Sequence, residues 1–138
     1  MKQTKGRMKP ERPIDSFTSV KDSGKRQEFE TGSRRDSREG KGRFDLLPPY
    51  AITRLAIHFE NGATKYGDGN YLKGQPTHRY MESALRHLFK YIDGDREEDH
   101  LSASAWNILA LISTEKLCRE DQLPGGLDDY KDATTVRG

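Results

Sequence analysis

The chain has 138 residues, 32% of them hydrophobic and 33% charged, which allows one domain with a modest core. A lone Cys118 excludes an internal disulfide framework, and no apolar run resembles a signal peptide or reaches membrane-span length. The net charge of +2 is uneven: residues 1–42 hold twelve Lys/Arg against seven Asp/Glu, and residues 43–138 twelve against fifteen.

Residues 1–26 are polar, basic and almost free of apolar pairs, so they bury too little surface to offset chain entropy. The sequence predicts a disordered basic arm over residues 1–29. Its charge suits nucleic acid, but acids interrupt it and aromatics are scarce, which favours a solvated tail. A helical domain over residues 30–123 follows, then an irregular tail over residues 124–138.

Within the domain, "SRRDSREGKGRFDLLPP" is rich in glycine and charge and ends in prolines suited to a helix start. "PYAITRLAIHFENG" places Ile52, Leu55, Ala56 and Phe59 at helical spacing, with Gly62 as the expected stop. After the glycine-rich loop "ATKYGDGNYLKGQPT", Thr77 is the expected N-cap of a second helix whose core stripe is Met81, Leu85, Leu88 and Ile92. "DGD" closes it. A third helix from about Glu98 to Arg119 carries the stripe Leu101, Ala105, Ile108 and Ile112. No strand alternation stands out. The expectation is an all-α fold, a small bundle of three principal helices completed by oligomerisation, because three helices of this size give a thin core. A homo-oligomer in a reducing cytoplasm, without a membrane, is the predicted setting.

Beside the apolar stripe of the third helix runs a polar one, His100, Ser104 and Asn107, directly after the acids Glu97, Glu98 and Asp99. His87 holds a similar place on the second helix, and Glu82 sits on another flank. Each has a plain structural reading: a hydrogen-bonded half-buried histidine, a surface acid, an acid favoured at a helix N-terminus, a polar seam. Together, across the short turn "IDGDREED", they form a set of carboxylates and imidazoles able to converge in a bundle interior, where oxygen ligands hold hard divalent ions. Arg35, Lys41, Arg43, Lys65 and Lys73 lie among glycines, a setting suited to phosphates bridged by Mg²⁺. No Walker loop, CxxC, HExxH or GxSxG occurs.

"SRRDSREGKGRFDLLPP", "GATKYGDGNY" and "RHLFKYIDGDREEDHLSASAWNILAL" together resemble the signature blocks of the dATP/dGTP diphosphohydrolase family, small proteins common in bacterial viruses. The resemblance implies kinship by analogy with the all-α, oligomeric MazG-type pyrophosphohydrolases. It implies Mg²⁺, with Mn²⁺ as the alternative ion, and release of pyrophosphate and a monophosphate from purine (deoxy)nucleoside triphosphates in the host cytoplasm. On this reading Glu82, Glu98 and Asp99 bind metal, and Asp99, His87 and His100 serve in catalysis. Arg35, Lys41, Arg43 and Lys65 hold phosphates, and Asn70 and Asn107 read the base or sugar. The sequence departs from the MazG pattern in having no ExxE on the helix bearing His87, where Glu82 stands alone. Two rival readings share these residues: a nucleotide sponge without turnover, and a nucleic-acid-associated viral structural protein driven by the arm.

Overall fold

The computed structural model describes Val20 and residues 22–131. Residues 1–19 and 21 of the expected arm, and residues 132–138 of the expected tail, lie outside the described residues. The described chain divides into two compact units at Pro48 and Pro49.

The first unit contains two short strands that the sequence reading did not expect. Strand β1, Arg26–Glu28, pairs antiparallel with β2, Arg34–Asp36, in the register Arg26↔Asp36, Gln27↔Arg35, Glu28↔Arg34. Two of these three pairs set opposite charges against each other, a cross-strand stabilisation that an alternation search for apolar residues does not see. The turn closes through Phe29 N–H donating to the Ser33 carbonyl at 2.8 Å, with Gly32 at φ +89. Asp36 then gathers the Lys41 ammonium at 2.8 Å and the Ser23 N–H at 3.2 Å.

The second unit is built from three helices: α1, Pro49–Tyr66; α2, Thr77–Ile92; and α3, His100–Arg119. Helix α1 begins on Pro49, whose missing N–H costs nothing at that position. It runs past Gly62, correcting the expected stop. Gly67, at φ +92, takes the left-handed position instead, and its N–H donates to the Ala63 carbonyl at 2.7 Å. Thr77 is likewise not the cap of α2. Pro76 takes that place, and the Thr77 hydroxyl accepts from the Asp129 N–H at 3.0 Å, tying the segment after α3 to the start of α2. His78 adds a 2.6 Å contact to the Asp129 carboxylate.

Of the predicted core stripes of α2 and α3, Met81 alone packs against the core, half-buried. Leu85, Leu88 and Ile92, and Leu101, Ala105, Ile108 and Ile112, are exposed, with Ile92 at 76%. The buried line of α2 is Thr77, Tyr80 and Ala84; that of α3 includes His100, Ala103, Ser104, Asn107, Ala110 and Thr114. Small side chains at Ala84, Ala103, Ser104 and Ala110 let the two helices approach closely. The hydroxyls and the amide named here are satisfied locally: Ser104 Oγ donates to the Ala84 carbonyl across the helix pair at 3.0 Å, Asn107 Nδ2 to Ala103 at 2.8 Å, and Thr114 Oγ1 to Ala110 at 2.9 Å. On α1, Leu55 and Phe59 are half-buried while Ile52 and Ala56 are exposed. No helix among the described residues is long and apolar enough to cross a membrane.

The α2–α3 turn is held tightly. Gly94, at φ +94, follows α2, and the Asp95 N–H reaches back to the Lys90 carbonyl at 3.0 Å. The Arg96 guanidinium lies 3.9 Å from the Tyr91 ring centre and donates to the Tyr91 carbonyl at 2.8 Å. Asp99 caps α3 by accepting from the Ser102 N–H at 3.1 Å.

Candidate functional site

A cleft of about 640 Å³ opens in the helical unit among the end of α1, the loop after it, and the facing sides of α2 and α3. Its floor is aromatic. The Trp106 ring centre lies 5.7 Å from that of Tyr71, 6.0 Å from Phe59 and 6.2 Å from Tyr80, in edge-on or tilted arrangements favoured by ring quadrupoles. Its rim carries Lys65, Arg79 and Arg86, with Asn61, Asn70, Gln75 and Asn107 supplying amides. No carboxylate is among the lining residues.

Glycines of α1 and of the loop after it serve this cleft. Gly62, Gly67 and Gly69 line it. Gly62 leaves open space where a side chain would project, and Gly69 adopts a left-handed conformation, φ +69, ahead of the helical turn Asn70–Lys73. Among the cations, Arg79 and Arg86 share Glu82 at 3.5 and 3.9 Å, whereas Lys65 has no carboxylate partner among the described residues. The Lys65 ammonium sits 5.1 Å from the centre of the Tyr66 ring.

At one end of the cleft, His87 belongs to a second cluster. One ligand atom each from His87, Glu98 and His100 lies within 4.8 Å of the others. The two histidines meet at 2.9 Å, Nδ1 to Nδ1. A proton on both atoms would set two donors face to face, so at least one presents a lone pair to the other. Burial pushes the His87 pKa down, opposed by the negative charge of Glu98. The His100 side chain is 1% exposed, and its Nε2 lies 3.1 Å from Asp95 Oδ1, outside hydrogen-bond alignment. Asp95 is itself fixed by accepting the Glu97 N–H at 2.8 Å.

Asp99 faces elsewhere. The Arg54 guanidinium grips it with two bonds, Nε to Oδ2 at 2.7 Å and Nη2 to Oδ1 at 2.8 Å, tying α1 to the start of α3. This pairing, reinforced by the Ser102 bonds, holds the Asp99 carboxyl well below the usual carboxylate range.

The structure thus gathers four of the expected site residues, Lys65, Asn70, Asn107 and His87, around one cleft, and joins His87 to His100 and Glu98. It does not bring Glu82 into that cluster; Glu82 is exposed and pairs with Arg79 and Arg86. Arg35, Lys41 and Arg43 lie in the hairpin unit, where Lys41 pairs with Asp36 and Arg43 with Asp45 at 2.6 Å. Sequence reasoning passed over Arg54, Asp95 and Arg79, and missed the role of Trp106. Arg54 meets its partner across 45 residues, which no local spacing reveals. Trp106, the chain's single tryptophan, lies between Ala105 of the apolar stripe and Asn107 of the polar one, and the spacing of neither includes it.

Set against protein-family models, the chain matches the one described as dATP/dGTP diphosphohydrolase, N-terminal, over residues 31–122. No curated protein and no solved structure matches it.

Proposed function

The chain belongs to the dATP/dGTP diphosphohydrolase family, which it matches through that family's N-terminal domain, and from this premise we propose that it cleaves purine deoxynucleoside triphosphates to monophosphate and pyrophosphate. The observation that carries the reading is the composition of the cleft. An aromatic floor meets a rim of three cations with no carboxylate in the lining, which suits a flat base joined to a polyanion.

In this reading the base lies against Trp106 and Tyr71. Asn107, whose Nδ2 is held by the Ala103 carbonyl, turns its Oδ1 to accept from the base, and Asn70 reaches the sugar. Lys65, with Arg79 and Arg86, holds the phosphate oxygens. Water attacks the α-phosphorus, the bond to the bridging oxygen breaks, and pyrophosphate departs with the electron pair. The proton of that water leaves to solvent on the side of the exposed Glu98, beside the histidine pair. The substrate is the Mg²⁺ complex of the triphosphate, in which the ion supplies charge neutralisation and a more acidic water. Asp99 and Arg54 act by position: their pairing fixes the turn that presents Glu98 and His100.

The exposed apolar residues of α2 and α3 support the accompanying proposal of a homo-oligomer, since a second copy would remove them from water. The cleft assignment is tested through Trp106. Titration with non-cleavable analogues of the four deoxynucleoside triphosphates should change its fluorescence most steeply with the purines. A signal indifferent to all four would place the nucleotide elsewhere or nowhere on the chain.

A further inference from the structure

The donors at the end of the cleft do not match the ion that the family resemblance implies. Mg²⁺ demands oxygen ligands and keeps much of its water. Here two imidazole nitrogens face each other 2.9 Å apart, with one carboxylate beside them. Imidazole suits Zn²⁺, Co²⁺ and Ni²⁺ far better than Mg²⁺.

We propose that His87, Glu98 and His100 form a resident site for a borderline divalent transition ion of the Zn²⁺ and Co²⁺ class, occupied without nucleotide and separate from any Mg²⁺ carried on the triphosphate. The spacing fits. Two nitrogens bonded to one ion at about 2.0–2.1 Å lie roughly 2.9–3.4 Å apart for angles between right and tetrahedral. Glu98 is exposed and needs only a short swing to complete the set.

A second observation points the same way. The His100 ring is buried, and the carboxylate of Asp95 stands 3.1 Å from its far nitrogen. A small rotation aligns that pair, placing the proton on Nε2 and the lone pair on Nδ1, toward His87. A carboxylate behind an imidazole fixes its tautomer and raises its basicity as a ligand. Three protein donors also leave room for water or substrate on the ion, as catalytic rather than closed structural sites require. His87 also lines the cleft, so an ion held there would lie next to the nucleotide of the proposed function. Only this last step rests on the nucleotide reading; the ion site does not.

The test uses the full chain, stripped by chelator and titrated with Co²⁺ alone. The expected result is one equivalent bound, with visible absorption of the intensity typical of four- or five-coordinate Co²⁺. Zn²⁺ should displace it, and a hundredfold excess of Mg²⁺ or Mn²⁺ should not. His87→Gln and Glu98→Gln should each weaken Co²⁺ binding at least tenfold, and Asp95→Asn by about 10–100-fold. Because Glu98 is exposed, its variant tests the site even if the histidine variant fails to fold by circular dichroism. Unchanged Co²⁺ affinity in Glu98→Gln, absence of the absorption, or ready displacement by Mg²⁺ would overturn the proposal. A protein that forms pyrophosphate with Mg²⁺ yet binds no Co²⁺ overturns the transition-ion site and keeps the hydrolase. One that binds Co²⁺ as expected but cleaves nothing keeps the site and removes the hydrolase.

Discussion

Replacing Lys65 by alanine removes the one cation of the cleft rim that has no carboxylate partner among the described residues. Arg79 and Arg86 must share their charge with Glu82, so the free ammonium of Lys65 is the strongest uncompensated attraction for a phosphate. A hydrogen bond between charged groups contributes about 1.5–3 kcal/mol. Lys65 is exposed, so water screens the contact and the lower end applies. About 1.5 kcal/mol corresponds to roughly tenfold weaker binding of a non-cleavable dATP analogue. Stability should barely move, because the side chain gives up only a surface contact with Tyr66 worth about 0.5 kcal/mol. Isothermal calorimetry gives the affinity and thermal unfolding the control. The parental affinity in Lys65→Ala, with an unchanged melting point, would refute the placing of phosphates at this rim.

Other expectations follow from the same geometry. The Asp99 carboxyl is held low by Arg54, so its contribution is present above the unfolded value of about 4 and fades as pH falls below it; the melting temperature of Asp99→Asn should therefore fall less steeply with acid than the parent's, and parallel pH profiles would contradict the pairing. Arg54→Ala and Asp99→Asn should be non-additive in Tm, since each breaks the same two-bond ion pair. Ser104→Ala should cost about 1 kcal/mol in denaturant unfolding, the net worth of its bond to the Ala84 carbonyl; a neutral result would show that the buried hydroxyl is not a helix-to-helix tie. Leu85→Lys with Phe89→Lys, both exposed on α2, should shift the protein to a smaller species in light scattering, and a parent already monomeric would dismiss the oligomer.

The three helices were legible because hydrophobic spacing and loop glycines survive in any sequence reading. Which face of each helix is inside was not. Leu88 and Ile108 read as core because they are large and apolar, yet the core gathers on the other face, where Tyr80, Ala110 and Leu111 pack with Tyr71, Met81 and Trp106, and hydroxyls such as Ser104 and Thr114 spend themselves on nearby carbonyls. The polar stripe His100, Ser104 and Asn107 was seen as a unit, and the structure buries it as one. Its neighbours His87, Lys65 and Asn70 stand far apart in the sequence, and only the fold puts them around a common cleft. Asp99 and Glu98 were adjacent and equally acidic on paper. A guanidinium 45 residues away separates them, capturing the first, while the second lies beside the histidine pair. The hairpin escaped notice because its register is fixed by charge, Arg26 to Asp36 and Glu28 to Arg34, rather than by apolar alternation.

In the proposed function, purine deoxynucleoside triphosphates are cleaved in the cleft at the α-phosphorus. The most direct test is to incubate the protein with dATP or dGTP and Mg²⁺ in ¹⁸O-labelled water, then resolve the products by mass. Labelled monophosphate and unlabelled pyrophosphate are the expected products. Unchanged triphosphate, or diphosphate with inorganic phosphate, would contradict this cleavage.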